Sequence, residues 1–344
     1  MKSVQLVAPR TLEPREMPMP QDPGPGQVLV RIHAVGICGS DMHWYLEGGI
    51  GATSAAYPQI LGHEPAGEVV ATGAGVEEFH PGQKVLIEPA VLCGHCEFCH
   101  SSRRNCCVTS EFMGGPTMYG LFREYATVPA ANVVALPEDM SFVRGTVVEP
   151  LAVILHVVEL TPVRLGDTVA IMGAGPIGLL TAAVARVSGA SRIFVADKVP
   201  HRLELARKMG ADFAVDSRSE SIVECVRDHT RGRGVDVVFD CAAKPDTMAD
   251  SVSVARIAGQ FVQIGIPSDR VIPFDFLAAM GKELNIQIIK RSNHNAHEAI
   301  ELLQSGRVSD CLVTHQFPLE RTPDAFEAYS SYADGMGKVI IEIP

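Results

Sequence analysis

Before residue 150, apolar and polar positions alternate in short runs at 27–34, 67–71 and 84–88, separated by Gly/Pro turns such as 23–26 and Pro81-Gly82. A period of two between breakers predicts half-buried strands, so this part reads as an all-β, barrel-like domain. Near residue 150 the pattern changes to strand, glycine turn and helix. Strands are expected at 168–172, 192–196, 213–215, 235–240 and 260–265, with a helix running to Ser188 and another at 203–209. Units of this kind build a doubly wound parallel sheet with right-handed crossovers, and the fold class is α/β. No internal repeat or low-complexity tract interrupts the pattern.

At 344 residues the chain exceeds what a single core usually fills, roughly 250 to 300 residues, which agrees with two domains. Its 29 Lys plus Arg against 40 Asp plus Glu give a formal charge of −11, which argues against nucleic acid or an anionic membrane as partner. A small-molecule substrate fits better. No apolar run approaches the roughly 20 residues of a membrane span, and the first ten residues lack the apolar core of a signal peptide. A cytoplasmic location is expected. The odd count of nine cysteines agrees with a reducing compartment.

The 168–172 strand runs into Gly173-Ala174-Gly175-Pro176-Ile177-Gly178 and then a small-residue helix. In that strand-turn-helix setting G-x-G-x-x-G lets the backbone approach a pyrophosphate held at a helix N-terminus. Asp197 ends the next strand, at the distance expected of a carboxylate that accepts from ribose hydroxyls and repels a 2′-phosphate. NAD is favoured over NADP, although Lys198 and Arg202 stand close by in sequence.

Two cysteine-bearing patterns point to metal. Cys93, Cys96, Cys99 and Cys107 follow C-x2-C-x2-C-x7-C, the spacing of a closed, four-thiolate zinc site that stabilises a lobe and leaves no position for substrate. Cys106 is an alternative fourth ligand. The second set, Cys38 with His63 and Glu64, offers one thiolate, one imidazole and one carboxylate, which would leave a catalytic zinc one open position.

With Gly36-Ile37-Cys38-Gly39-Ser40-Asp41-Met42-His43, Gly62-His63-Glu64, the four-cysteine lobe and Gly173–Gly178 all in the same order, the chain resembles the zinc-dependent medium-chain alcohol dehydrogenases over essentially its whole length. Glu149-Pro150-Leu151-Ala152 and the stretch around Lys290-Arg291 are most similar to the sorbitol and xylitol dehydrogenase branch. The resemblance implies a GroES-like catalytic domain at 1–149, completed by 288–344, and a Rossmann NAD-binding domain at 150–287. It implies two zinc ions per chain, NAD as cofactor, a polyol oxidised to a ketose, and a homotetramer. Cys38, His63 and Glu64 would ligate the catalytic zinc, with Glu149 beside it as ligand or as substrate contact. Ser40 would take the alcohol proton and His43 would pass it to solvent. Trp44, Glu149 and Arg291 would contact substrate; Ile177 and Arg202 would line the dinucleotide, and Ile264-Gly265-Ile266 would flank the nicotinamide.

The departures fall in the substrate pocket. Trp44-Tyr45 stands where animal sorbitol enzymes have tyrosine after the relay histidine, and Ser292 where they have tyrosine after the arginine. Many animal enzymes also lack the four-cysteine lobe, so a bacterial type is implied. An L-threonine 3-dehydrogenase would share the same machinery, and a non-catalytic relative would keep the folds without turnover.

Overall fold

The computed structural model describes the backbone of residues 1–344 and every side chain except that of Asp334. Two large sheets organise the described residues. The first places its strands in the order Val133–Ala135, Lys84–Ile87, Glu64–Thr72, Gln27–Gly36, Lys338–Glu342 and Val313–Pro318, with Tyr125–Pro129 also on Gln27–Gly36. One edge of Gln27–Gly36 therefore serves two partners. Tyr125–Pro129 pairs along 27–31, and the last strand of the chain pairs along 34–36, opposing Ile340 to Gly36 and Ile341 to Val35. Apolar Val339, Ile340 and Ile341 are fully buried there, which draws the C-terminal segment back onto the N-terminal sheet.

The second sheet is wholly parallel, in the order Phe213–Asp216, Arg192–Asp197, Thr168–Met172, Val235–Asp240, Ala255–Gln263, Asn285–Ile288. Strand order reverses between Thr168–Met172 and Val235–Asp240. Ligands of doubly wound sheets sit in the crevice outside the carboxyl ends at such a switch point. Val169, Ile171, Val237 and Phe239 are fully buried, as expected of strands covered by helices on both faces.

Three local readings of the sequence need correction. The region before residue 150 is not all-β: helix Gly39–Glu47 follows the first long strand, its N-terminus fixed by a capping box between Cys38 and Asp41. The helix expected from residue 203 begins at Pro200, whose fixed φ suits a first helical turn. The strand expected at 260–265 is Ala255–Gln263, and it ends early because Ile264 and Gly265 both turn to donate to the Asp240 carbonyl at 2.9 Å.

The change of pattern near residue 150 falls inside helix Val148–Leu160, whose Val148, Leu151, Ile154 and Val157 are fully buried. That helix packs on Pro176–Ser188 and on Ala296–Gln304. One apolar cluster joins Ala66, Leu86 and Leu136 from the first sheet's side to Ile171, Leu179 and Phe239 from the second. The two sheets thus share a core at the base of the cleft between them.

Candidate active site

Helix Gly39–Glu47 and the adjoining strand Glu64–Thr72 bring the motif residues together. The donor atoms of Cys38, His63 and Glu64 all lie within 4.8 Å of one another. His63 Nδ1 is 3.3 Å from Asp41 Oδ1, and the same carboxylate accepts from the backbone N–H of Cys38 at 3.0 Å and of Gly62 at 3.2 Å. Asp41 occupies one ring nitrogen and so aims the other inward, the arrangement by which a carboxylate orients a metal-binding histidine. Burial disfavours the imidazolium, but Asp41 and Cys38 more than offset it and hold the His63 pKa well above its ordinary value.

Glu64 is buried and faces the ammonium of buried Lys338, which also donates to the Ile37 carbonyl at 2.9 Å. Lys338 takes Oε2, whereas Oε1 has no partner among the described residues, so that oxygen keeps its lone pairs for a cation. Gly36 makes this possible: a Cβ there would fall on the Glu64 carboxylate and meet Lys338 Cε. Ser40 Oγ lies 3.4 Å from His63 Nε2, and His43, one helical turn on, pairs through Nδ1 with Glu47 at 3.2 Å. Trp44 of the same helix is 8% exposed and packs in the β-rich core.

Phe112 bridges this cluster to a cavity. Its ring centroid is 5.1 Å from that of His63, and the Arg291 guanidinium lies over the ring, 4.1 Å from its centroid. Glu88, Phe112, Glu149, Arg291 and Ser292 line the cavity. Burial, with the Glu64 and Glu88 carboxylates adding to it against His63 and Lys338, pushes the Glu149 carboxyl up to about 7. A one-thiolate, one-imidazole, one-carboxylate set with a further carboxyl alongside suits a divalent metal that keeps a position for substrate.

In the lobe, the sulfurs of Cys93, Cys96, Cys99 and Cys107 also lie within 4.8 Å of one another, and Cys106 is outside the group. Backbone donors, the N–H of His95 foremost, pull the Cys93 thiol down to about 5, while burial pushes Cys99 up to about 11. Four sulfurs at one point fit a single tetrahedral thiophilic ion.

The nucleotide turn has the geometry its glycines predict. Gly173 has φ 96°, and a Cβ on Gly178 would fall on the Gly173 carbonyl, so helix Pro176–Ser188 can start hard against the strand. Asp197 accepts from Ala174 N–H at 2.6 Å and from Val199 N–H at 2.8 Å, which places its carboxylate under the turn. Arg202 points inward: it is 7% exposed, near Gly175, with its guanidinium 4.8 Å from the Tyr332 ring centroid. Ile177 is half-buried, Ile264 is buried and Ile266 exposed, and Gly265 packs against the Cys241 backbone.

Asp41, Lys338, Phe112 and Asn105 are site residues that the sequence patterns did not single out. Asp41 carried a legible signal, a carboxylate at the third position of a helix whose cap is the cysteine. Lys338 carried none, because a lysine before an apolar strand reads as solvated.

Residues 24–138 match the alcohol dehydrogenase GroES-like domain, and residues 176–305 match the zinc-binding dehydrogenase family. A sorbitol dehydrogenase from Bacillus subtilis is 36% identical over 99% of this chain and 97% of its own length. An L-threonine 3-dehydrogenase from Pyrococcus horikoshii is 36% identical over 92% of this chain and 91% of its own. An Escherichia coli alcohol dehydrogenase complexed with NADH superposes with a TM-score of 0.89 at 31% identity over 99% of both chains. The chain belongs to the zinc-dependent medium-chain alcohol dehydrogenases, close to their polyol branch, a family of enzymes that work with zinc and NAD.

Proposed function

We propose that this enzyme reversibly oxidises a secondary alcohol of a sorbitol- or xylitol-like polyol to the ketose with NAD, as a cytoplasmic homotetramer. The observation that carries this reading is the adjoining pair of sites: a three-donor cluster at Cys38, His63 and Glu64, and beside it a cavity whose polar walls include Glu149 and Arg291. Simple alcohols do not require those walls. Two zinc ions would bind per chain, one at Cys38, His63 and Glu64, the other at Cys93, Cys96, Cys99 and Cys107. When bound, the catalytic zinc supplies Lewis acidity at the alcohol and NAD accepts the hydride.

The chain's own residues supply position and proton transfer. Ser40 Oγ, within reach of His63, takes the alcohol proton, and His43, one turn along the helix and partly open to solvent, carries it away. Glu149, Arg291 and Trp44 orient the substrate. Gly173, Gly175, Ile177 and Gly178 would hold the dinucleotide, Asp197 its ribose, with Arg202 behind the turn and Ile264-Gly265-Ile266 beside the nicotinamide. Nine unpaired cysteines suit a reducing compartment.

NAD reduction measured over sorbitol, xylitol, L-threonine and a primary alcohol tests the reading, with Cys38→Ser as control. Turnover is expected on a polyol, with Cys38→Ser folded but inactive and short of one zinc. A higher kcat/KM on threonine or the primary alcohol, or near-normal turnover by metal-depleted Cys38→Ser, would overturn it.

A further inference from the structure

Two residues that line the cavity beside the metal cluster each carry a buried polar atom with no partner among the described residues: Asn105 Oδ1, an acceptor, and Arg291 Nη1, a donor. Asn105 belongs to the four-cysteine lobe and is 6% exposed. Its amide cannot be reversed. Nδ2 donates to the Lys290 carbonyl at 2.7 Å and lies 3.2 Å from His156 Nε2, so exchanging N and O would set two acceptors against each other. The backbone N–H of Asn105 also donates to Asn293 Oδ1 at 3.3 Å.

Arg291 is equally constrained. It follows the carbonyl that Asn105 holds, takes a left-handed φ of 57°, and stacks its guanidinium 4.1 Å from the Phe112 centroid. The lobe thus fixes the segment that carries the arginine, and the two residues with orphaned atoms line one cavity.

Two residues that line one cavity, one with a spare buried acceptor and the other with a spare buried donor, call for a group that donates and accepts together. A hydroxyl does both. An ammonium can only donate, so it leaves Arg291 Nη1 without an acceptor. A carboxylate or phosphate can only accept, and would meet Asn105 Oδ1 and the acidic side chains of Glu88 and Glu149. We propose that Asn105 and Arg291 form a subsite for a substrate hydroxyl away from the reacting carbon, which makes Asn105 a specificity-determining residue. The subsite selects a neutral polyol over an amino-acid alcohol of similar size. This inference rests on the polyol reading above.

The test compares kcat/KM for sorbitol and xylitol with that for their monodeoxy analogues, in wild type and in Asn105→Leu. A site built to hydrogen-bond a hydroxyl rejects the analogue lacking it, because its own polar groups are then left unpaired. Among the analogues that keep the hydroxyl on the reacting carbon, wild type is expected to discriminate against at least one by roughly tenfold to hundredfold. Asn105→Leu is expected to lose that discrimination, falling on the polyol and not on the analogue. An equal fall on both would make Asn105 only a strap for the loop and overturn the proposal. Wild type that treats every such analogue like its parent would overturn it too, whether or not the variant folds. Wild type that oxidises no polyol would instead refute the polyol reading, and the subsite with it.

Discussion

Asp197 has two tasks in one carboxylate. Both oxygens already accept backbone N–H groups, from Ala174 and Val199, so the side chain shapes the turn besides being the proposed partner of the ribose. Replacing it therefore weakens any dinucleotide, and only the ratio between NAD and NADP isolates the ribose contact. In Asp197→Ser, NAD loses charge-assisted hydrogen bonds of about 1.5 to 3 kcal/mol, while NADP loses a repulsion. The kcat/KM ratio of NAD to NADP should fall by at least roughly tenfold. A wild type that favours NADP, or an unmoved ratio, would reject the assignment. The residues that spacing makes legible are those whose chemistry demands a sequence motif: Cys38, His63, Glu64, the four lobe cysteines and the turn glycines. Asn105 and Lys338 reach the site through tertiary contacts, with backbone carbonyls 185 and 301 residues away in sequence, and no window contains both partners. Arg202, which the resemblance puts along the dinucleotide, also packs on the rings of Tyr329 and Tyr332, contacts equally remote in sequence.

At the scale of elements, the lobe is the part least able to fold on apolar burial. Between Cys93 and Cys107 only Cys99, Asn105 and Cys107 are buried, and the sole regular element is the 3-10 turn Arg104–Cys106. Sulfur ligation has to supply what a core would. Cys99→Ser should therefore lower the melting temperature and reduce zinc from two ions to one per chain, as a closed site contributes folding energy directly. Light scattering should report whether the proposed tetramer loosens with it. An unchanged melting temperature with both zinc ions retained would refute the closed site. The strands and helices themselves were legible wherever one period held over several turns, as at Thr168–Met172 and Pro176–Ser188. Boundaries slipped where a single backbone event decided them. Strand Ala255–Gln263 carries a left-handed Ala258 and a register shift, and neither leaves a trace in an apolar pattern.

Across the whole molecule, the first sheet is closed by the last residues of the chain, and Lys338 is where that closure meets the chemistry. Strand Lys338–Glu342 lies against Gln27–Gly36, whose other edge is Glu64–Thr72, so Lys338 reaches Glu64 across the sheet. Both side chains are 1% exposed. Removing one member of such a pair leaves a buried charge uncompensated, which costs about 3 to 5 kcal/mol. A divalent cation on Glu64 would supply part of the missing compensation. Lys338→Met should therefore lower the melting temperature by several degrees in protein stripped of metal, and by clearly less once zinc is restored. Wild type should show the smaller difference between the two states. Calorimetry of both proteins with and without chelator makes the comparison, and zinc titration of the variant gives a reading independent of turnover. An equal loss in stripped and loaded protein would mean that zinc leaves the Glu64 carboxylate alone. The ligand set would then shrink to Cys38 and His63, and half-buried Glu149, in the adjoining cavity, would be the carboxylate left to complete it.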